Sequence, residues 1–392
     1  MIGKKVSLIF YVFGMIFFIS GCASMIYKSI PLKDIAKANG KYFVGTQNFQ
    51  LVDSSRAMWF ADSIKGSRTL SVKIWYPADE TSLFERAPYL NHHELIAKAL
   101  STGLGIPEAL MSRAGAIKCN SWLNAEISTG HFPIVLYSHG HQSLKIANTF
   151  QAEELASNGY IVIAPDHTYD AALTVIDNDK IVYTRSKLPN SDAEALELGM
   201  IKRVKKQLNI RVEDVSFIID KMVERFSKDE RFNQSADFEN IGIFGHSFGG
   251  CTAIMAANKD NRIDVILGLD AYFLPLPKYI IDKNINKPFV HIGQVSWGNS
   301  NNYELMKRFG RNNTENSYHF SVEGANHNDF TDFSQFTKLT RKFGSGKVPQ
   351  KKIRNIMNDI MLQFFNYHLK SLDSFNVNQF ENKFKRVKTY VH

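Results

Sequence analysis

Short apolar runs alternate along most of this chain with longer stretches in which apolar residues recur at helical spacing. Short apolar runs bounded by turn residues are typical of buried strands, and apolar residues three or four positions apart are typical of helices. The runs predict strands at 70–76, 134–138, 161–164, 241–244, 265–269, 289–292 and 318–322. Because helical patterns separate most of these strands, the sequence predicts an α/β fold with a mostly parallel sheet flanked by helices.

Two helical regions have recognisable boundaries. A helix is expected from about residue 146 to 158, with Gly159 ending it. A capping-box pattern at 191–194 opens a long helical region. Apolar residues recur at helical spacing within that region, which predicts that this face packs in the core. They are Val215, Ile218, Ile219, Met222, Val223 and Phe226.

Two insertions interrupt the alternation of strands and helices. Residues of about 80–130 are rich in apolar side chains at helical spacing, and we expect no strand within them. The second insertion covers about 168–208. Insertions of this kind often cover the ends of strands where a ligand binds. Either segment is therefore a candidate lid or lipid-facing surface, with a helix packed permanently on the core as the alternative.

The N-terminus has the pattern of a secretory signal. Lys4 and Lys5 precede the apolar run 6–20, which is shorter than the roughly 20 residues that span a bilayer. The sequence around Gly21-Cys22 resembles the lipobox of bacterial lipoproteins. We therefore expect a signal peptide at 1–21, a lipid on Cys22, a tether at 22–45 and a hydrolase-type domain at 46–375. A retained signal anchor is the alternative.

The lipidated chain is expected in a bacterial cell envelope, at the outer membrane in a Gram-negative cell because Ala23 is not acidic. The formal charge of the 392-residue chain is +9, and a modest basic cluster lies within 376–392. No nucleic-acid-binding motif accompanies that cluster, so we predict a solvated tail and no nucleic-acid partner, with contact to anionic membrane headgroups as the alternative. The sequence leaves the oligomeric state open.

Three cysteines are present, and two remain if Cys22 carries lipid. Cys251 falls on the predicted helix after residue 247, where a small buried thiol is the ordinary interpretation. A disulfide between Cys119 and Cys251 is the alternative in an oxidising compartment.

The segment Gly245-His246-Ser247-Phe248-Gly249 lies between a predicted strand and a predicted helix. A serine with glycine on both sides at such a turn is typical of the nucleophile elbow of α/β-hydrolases. The glycines let neighbouring backbone approach a strained turn, and the turn exposes the serine hydroxyl. Ser247 is therefore the candidate nucleophile.

A serine nucleophile needs a histidine base and a carboxylate that orients the base. Asp270 follows the predicted strand 265–269 at the sheet edge that carries the elbow, whereas Asp264 lies at the opposite end of that strand. His327 follows the strand 318–322 in a loop, whereas the other nearby histidines lie inside strands. Because the order serine, acid, histidine is typical of this fold, Asp270 and His327 are the candidate acid and base.

Stabilising an oxyanion takes two backbone donors. We predict the N–H of Phe248, directly after the nucleophile, and the N–H of His141, in the loop after strand 134–138. The side chains of His139, His141 and His246 match no metal-site spacing. The sequence therefore predicts a reaction without a metal or cofactor.

These motifs resemble the platelet-activating-factor acetylhydrolase family and its bacterial relatives across about residues 42–370. The resemblance is carried by IWYP at 74–77, FPIVLYSHG at 132–140, LASNGYIV at 155–162, GHSFGG at 245–250, LDAY at 269–272 and HNDFTDF at 327–333. It implies a metal-independent serine esterase that removes short or oxidised acyl groups from phospholipids. It assigns the triad to Ser247, Asp270 and His327 and the oxyanion donors to Phe248 and His141.

The sequence departs from that family at two places. His141 stands where animal members have a small apolar residue, and the segment 80–130 matches only loosely. These departures leave two alternatives to a phospholipid esterase open. One is a broad carboxylesterase or dienelactone-type hydrolase for soluble esters, and the other is a catalytically idle hydrolase fold that serves as a binding module.

Overall fold

The computed structural model describes residues 32–60, 64–79, 81, 83–104, 112–113, 115–177, 179–298, 300–313, 316–372 and 374–391. The predicted signal peptide and Cys22 lie outside the described residues. No helix within the described ranges is both long and apolar enough to cross a bilayer.

Among the described residues, one sheet has eleven strands in the order β13-β12-β11-β10-β9-β5-β6-β2-β1-β4-β3. The strands of this sheet are β1 (Phe43–Ala57), β2 (Ser67–Ala78), β3 (Arg86–Pro88), β4 (Lys118–Leu123), β5 (Phe132–Ser138), β6 (Ile161–Asp166), β9 (Ala236–His246), β10 (Ile263–Leu269), β11 (Phe289–Gln294), β12 (Ser317–Val322) and β13 (Val387–Val391). Strands β7 (Leu173–Ile176) and β8 (Lys180–Tyr183) form a separate antiparallel pair. Every strand that the sequence predicts is present.

The six strands from β6 through β5, β9, β10 and β11 to β12 run parallel. Strand β2 pairs antiparallel with β6 at one end of this set, and β13 pairs antiparallel with β12 at the other. The register places Ser138 of β5 and Gly268 of β10 on either side of Gly245 in β9. The carboxyl ends of these strands therefore meet at one edge, as the sequence predicts for a mostly parallel α/β sheet.

Helices cover both faces of the sheet. Within the described ranges they are α1 (His93–Leu104), α2 (Thr149–Ser157), α3 (Asp192–Ala195), α4 (Leu198–Ser227), α5 (Glu230–Asn233), α6 (Phe248–Lys259), α7 (Lys278–Ile281), α8 (Asn302–Asn312), α9 (Gln350–Lys370) and α10 (Asn378–Lys383). One core cluster joins α4 and α6 to the sheet, and a second joins α2 and α9. The predicted apolar face of α4 is buried except for Val223, which is exposed. Gly159 follows α2 with φ +86°, as expected for a residue that ends a helix.

The chain divides into two compact units. The larger one comprises Ile35–Ala87 and Cys119–His392 and carries nearly all of the sheet. The smaller one comprises Met1–Asp34 and Pro88–Lys118, and its described part includes α1. Within the smaller unit the N–H of Lys118 donates to Asp34 at 2.9 Å.

Residues 35–45 do not form part of a free tether, contrary to the sequence prediction. Ile35 is buried, and its carbonyl accepts a hydrogen bond from the Asn120 side chain at 2.6 Å. The N–H of Tyr42 donates to the Ser157 carbonyl at 3.0 Å, and β1 begins at Phe43. The sequence alternates too weakly here to mark a strand, and pairing with β2 supplies the missing stabilisation.

The prediction that 80–130 contains no strand is also wrong, because β3 and β4 both lie within it. Strand β4 pairs in parallel with β1, with Gly45 opposite Trp122. Its sequence KCNSWL mixes polar and apolar residues, yet Cys119 and Ser121 are fully buried. The second insertion contains the β7–β8 pair, α3 and the start of α4, and the Ser191 hydroxyl caps α3 by accepting from the Glu194 N–H.

Both remaining cysteines are buried free thiols, so the alternative of a Cys119–Cys251 disulfide is not formed. Burial raises the pKa of each thiol well above its usual range. Neither thiol is therefore ionised near neutral pH.

The segment 376–392 was predicted to be a solvated tail, and this prediction is wrong. Helix α10 and strand β13 occupy the segment, and β13 pairs with β12 from Val387 opposite Val322 to Val391 opposite Tyr318. Phe380 is fully buried, with its ring centroid 5.2 Å from that of Phe320. The basic residues lie on the exposed side of an element whose apolar residues complete the core.

We expect Phe380→Ala to lower the free energy of unfolding by about 3–5 kcal/mol, because it empties a fully buried aromatic site. Lys385→Ala, at an exposed position of the same segment, is the matched control and should change it by less than about 0.5 kcal/mol. Urea denaturation of both variants measures the difference. Equal stability of the two variants would restore the solvated-tail interpretation.

Candidate active site

Ser247 lies on a strained turn between β9 and α6. Its backbone has φ 54° and ψ −118°, a conformation that residues with a side chain rarely adopt. A Cβ on Gly245 would lie 2.1 Å from the Gly249 carbonyl oxygen, and one on Gly249 would lie 1.9 Å from the Ser138 carbonyl oxygen. Only glycine fits at these two positions. The turn is therefore built as the spacing of the motif predicts.

Backbone hydrogen bonds fix this turn to the neighbouring segment. The N–H of Ser247 donates to the Leu269 carbonyl at 3.0 Å, and the Ser247 carbonyl accepts from the Tyr272 N–H at 2.9 Å. Asp270 directly follows Leu269, the last residue of β10, and lies between the two partners in the sequence. The serine and the aspartate are thus held by adjoining stretches of backbone.

Asp270 is fully buried at the end of β10 and accepts hydrogen bonds through both carboxylate oxygens. Its Oδ2 accepts from Gln294 Nε2 at 2.9 Å and from Trp297 Nε1 at 3.1 Å. Its Oδ1 accepts from the Gln294 N–H at 3.1 Å and from the Tyr303 hydroxyl. Burial alone would raise the pKa of Asp270, but hydrogen bonds from His327 and Tyr303 outweigh it and leave the pKa well below its usual range.

His327 provides the partner of that carboxylate. It begins the 3-10 helix His327–Phe330 after β12, and its Nδ1 lies 2.6 Å from Asp270 Oδ2. An ionised carboxylate only accepts, so Nδ1 carries the proton and the lone pair of Nε2 is available to a substrate or nucleophile. The ring is partly exposed, and the Trp297 ring meets it edge-on with a centroid distance of 5.0 Å.

The alternatives to Asp270 and His327 have other partners. Asp264, at the opposite end of β10, accepts from the Ile241 N–H at 2.8 Å. His291 and His319 lie opposite each other in β11 and β12, with their Nδ1 atoms 2.9 Å apart. His291 also accepts from the Ala271 N–H at 3.0 Å, which supports the backbone after Asp270 from behind.

His246 joins the elbow to the loop of His327. Its Nε2 donates to the His327 carbonyl at 3.2 Å, and the two rings lie 4.5 Å apart. Burial, followed by the neighbouring His327, lowers the pKa of His246 to about 3, so its ring is neutral. A Cβ on Gly140 would lie 2.9 Å from His246 Nδ1 and 3.5 Å from Ser247 Cβ. The loop after β5 therefore lies directly against the elbow.

This loop and the start of α6 carry the two predicted oxyanion donors. Within the described part of the chain, the N–H groups of His141 and Phe248 donate to no other residue. The loop is held around His141, because the Gln142 N–H donates to the Asp170 carbonyl at 3.1 Å and the Ser143 N–H donates to the Gly140 carbonyl at 3.2 Å. Both unpartnered N–H groups thus belong to backbone beside Ser247.

Two of the three histidines in this region are hydrogen-bonded to neighbouring backbone. His139 accepts from the His167 N–H at 3.0 Å through Nε2, and its Nδ1 donates to the Gly140 carbonyl at 2.7 Å. His246 has the partner described above. Over the ranges that the structure describes, no group of three or more histidine, cysteine or acidic residues has the arrangement of a metal site.

The sequence prediction missed the residues around the carboxylate, namely Gln294, Trp297 and Tyr303. Gln294 and Trp297 follow the apolar run of β11 at the same sheet edge as Asp270, and this position was the available signal. Tyr303 lies on α8, and no local pattern connects it with Asp270. Arg211 was also missed, in the middle of a helix whose pattern indicates only core packing.

The model of the family platelet-activating factor acetylhydrolase, isoform II matches residues 27–390. The chain belongs to this family. The dog platelet-activating factor acetylhydrolase is 25% identical over 368 residues, which cover 88% of this chain and 80% of that protein. A probable 1-alkyl-2-acetylglycerophosphocholine esterase of the fungus Arthroderma benhamiae is 26% identical over 138 residues, or 35% of this chain and 31% of that protein.

A ferulic acid esterase from Streptomyces cinnamoneus shares the fold of this acetylhydrolase-family chain. The two structures superpose with a TM-score of 0.74 at 24% identity, covering 91% of this chain and 99% of the other. The predicted α/β-hydrolase fold and the predicted family are confirmed. This member of the isoform II family is an enzyme, a carboxylic ester hydrolase.

The low pKa of Asp270 predicts how stability depends on pH. A carboxyl whose pKa is lowered by folding adds stability above its unfolded pKa, and this contribution is lost as the pH falls toward the lowered value. The stability deficit of Asp270→Asn should therefore be constant above about pH 5 and shrink below about pH 4. Urea denaturation at a series of pH values measures it.

Asp264→Asn is the matched control on the same strand. Burial raises the pKa of Asp264, so the wild type gains stability relative to that variant as the pH falls. A deficit for Asp270→Asn that grows on acidification would contradict the assignment of an ionised, stabilising carboxylate.

Proposed function

We propose that this esterase hydrolyses phospholipids that carry a short or oxidised acyl chain, through an acyl-enzyme on Ser247. The observation that carries the mechanism is the 2.6 Å hydrogen bond between His327 and the buried Asp270, next to a serine on a strained strand-to-helix turn. A serine, a histidine and a carboxylate in this order are the minimum set for nucleophilic ester hydrolysis.

In the first half-reaction Ser247 Oγ attacks the ester carbonyl carbon while His327 Nε2 takes the hydroxyl proton. The developing imidazolium is stabilised by the Asp270 carboxylate, to which Nδ1–H already donates. The N–H groups of Phe248 and His141 donate to the oxyanion of the tetrahedral intermediate. Collapse of the intermediate breaks the bond to the lysophospholipid oxygen, which leaves with the proton from His327.

In the second half-reaction water attacks the acyl-enzyme, with His327 again acting as the base. The acyl–Ser247 bond breaks, the proton returns to Ser247 Oγ, and a free carboxylic acid leaves. No redox partner is needed, because hydrolysis consumes only water. The residues available at the site account for every proton that moves.

The substrate class is supported by the relatives. The dog protein is named a platelet-activating factor acetylhydrolase, and the fungal protein a probable 1-alkyl-2-acetylglycerophosphocholine esterase. Both names denote a short acyl ester on a glycerophosphocholine. We extend that class to this chain, and we propose that a lipid on Cys22 holds the enzyme on a membrane of a bacterial cell envelope, where such substrates are concentrated.

Ser247→Ala and His327→Ala should each reduce kcat by about 10⁶, to near background. Asp270→Asn should reduce it by about 10⁴, because His327 remains but in the wrong tautomer. The purified chain lacking residues 1–22 is assayed with p-nitrophenyl acetate and with phosphatidylcholines whose second acyl chain is acetyl, oxidised or long. A fluorophosphonate probe should label wild type at Ser247.

Equal labelling of Ser247→Ala would overturn the choice of nucleophile. Hydrolysis of p-nitrophenyl acetate with no hydrolysis of any phosphatidylcholine would leave the esterase mechanism intact and replace the phospholipid proposal by an esterase for soluble esters. A chelator should leave the activity unchanged, since no metal takes part in the proposed steps.

For the membrane tether, we expect Cys22→Ser to abolish lipid attachment and move the protein out of the membrane fraction, with kcat on p-nitrophenyl acetate unchanged. Incorporation of labelled fatty acid and fractionation of cells measure the two effects. Ala23→Ser is the control and should remain lipidated. A Cys22→Ser protein that stays in the membrane as an uncleaved precursor would favour the signal anchor instead.

A further inference from the structure

Arg211 is a fully buried arginine on α4 that the proposed mechanism does not use. Its NH1 donates to Asp170 Oδ1 at 2.7 Å. Its NH2 donates to Ser138 Oγ at 3.0 Å and to the His139 carbonyl oxygen. Ser138 and His139 are the last residue of β5 and the first residue of the loop that leads to His141. A helix outside the site is thereby connected to the loop that carries one proposed oxyanion donor.

The same guanidinium group also contacts the other donor residue. Its central carbon lies 4.8 Å from the centroid of the Phe248 ring, a cation–π contact between fully buried groups. Phe248 begins α6 directly after Ser247. A contact that holds its ring therefore also restrains the backbone N–H of the same residue. One planar cation therefore contacts both segments that carry the proposed oxyanion donors.

Asp170, the partner of Arg211, holds the loop on the other side of His141. The Asp170 carbonyl accepts from the Gln142 N–H at 3.1 Å, and its Oδ2 accepts from the Ser186 hydroxyl at 3.0 Å. On the N-terminal side of His141, the His139 carbonyl accepts from Arg211. On its C-terminal side, the Gln142 N–H donates to the Asp170 carbonyl. Gln142 has φ 52°, so a backbone conformation that is unfavourable for its residue type is held by this contact.

We infer that Arg211 is a positioning residue for the oxyanion hole, which sets the separation between the N–H groups of His141 and Phe248. The inference rests on the proposed acyl-enzyme mechanism and deepens it. Oxyanion stabilisation depends on donors fixed where the charge develops, and a shift of about 1 Å reduces it strongly. A single rigid group that is hydrogen-bonded to one donor segment and in cation–π contact with the other provides this fixation.

A second hydrogen-bonded series of a serine, a histidine and an aspartate lies beside Arg211. Ser138 Oγ lies 3.0 Å from His167 Nε2, and His167 Nδ1 lies 2.9 Å from Asp214 Oδ2. These residues are almost completely buried, so no ester can reach Ser138. Asp214 in turn accepts hydrogen bonds from two nitrogen atoms of Arg68, at 2.9 and 2.6 Å, and this series of hydrogen bonds ends there. The hydrogen bonds from Ser138 to Asp214 therefore anchor Ser138 in the core and do not provide a second nucleophile.

Arg68 offers a matched control for Arg211. Both side chains are fully buried, and each is bonded to an aspartate. The nitrogen atoms of Arg68 donate to Asp214 and to the carbonyls of Met58 and Thr168. Arg68 is thus connected to Ser138 only through Asp214 and His167, whereas Arg211 contacts Ser138, the His139 carbonyl and the Phe248 ring directly. Substituting lysine at either position keeps the charge and loses the planar fork.

The test compares p-nitrophenyl acetate with p-nitrophenyl thionoacetate, in which sulfur replaces the carbonyl oxygen. Sulfur is larger and accepts hydrogen bonds weakly, so correctly spaced N–H donors favour the oxygen ester. For Arg211→Lys we expect kcat on the oxygen ester to fall about 10- to 100-fold with KM nearly unchanged. We also expect the preference for the oxygen ester over the thionoester to fall by a similar factor. Arg68→Lys should keep the wild-type preference.

All rates are expressed per active site, titrated with a fluorophosphonate, so that a loss of folded protein does not count as a loss of kcat. If Arg211→Lys does not fold, Phe248→Leu takes its place, because it keeps the N–H and removes the ring that the guanidinium contacts. It should show the same loss of preference. A wild-type preference in the variant that folds would overturn the inference.

The outcome also separates this inference from the proposed function. Activity that persists in Ser247→Ala would refute the acyl-enzyme mechanism, whatever Arg211 does. An inactive Ser247→Ala together with an unchanged oxygen preference in Arg211→Lys would refute only the positioning role. An equal loss of preference in Arg68→Lys would assign the effect to general loosening of the core and would also overturn the specific role of Arg211.

Discussion

A fully buried carboxylate stays ionised only if hydrogen bonds replace the water it has lost, and the arrangement of this site depends on that constraint at Asp270. Its donors come from β11 and the loop behind it, from α8, and from the loop after β12. The negative charge thereby fixes three segments relative to the end of β10. His327 is one of these donors, so the orientation of the proposed base follows from the same charge.

A second buried charge lies near the elbow of Ser247. There the positive group is Arg211, whose partners are Asp170, the loop after β5 and the Phe248 ring. A buried ion pair contributes little net stability when compared with apolar residues of the same size, but removing one partner is costly. Such a pair is therefore well suited to fixing the geometry of a site, since any displaced arrangement leaves a charge without its partner.

Local patterns in the sequence were sufficient for the elbow and for the central strands. The glycines around Ser247 are required by contacts within a few residues or with the adjacent strand, and such requirements are visible as a motif. Asp270 and His327 could be predicted because the ends of parallel strands meet at one edge. Tyr303 and Arg211 could not, since Tyr303 reaches Asp270 from the first turn of α8 and Arg211 reaches the loop after β5 from the middle of α4.

The wrong predictions have a common physical cause. Strand β4 and the segment containing β13 have mixed or basic sequences, and their apolar residues become buried only through pairing with strands distant in the chain. Residues 35–45 are held in the same way by Ser157 and Asn120. A hydrophobic pattern predicts a strand or helix only from the residues of the segment itself. These edge elements bury their apolar residues against partners elsewhere in the sequence, which the pattern does not reveal.

The pairing of β13 with β12 affects when the segment before His327 is completed within the sheet. Strand β12 ends at Val322, shortly before His327, and the Glu323 N–H donates to the Arg386 carbonyl at 2.7 Å. A nascent chain that has emerged only as far as α9 already contains Ser247, Asp270 and His327, yet it lacks the outer partner of the strand that precedes His327. The segment that leads to His327 is therefore paired on both sides within the sheet only after residues 387–391 have been synthesised.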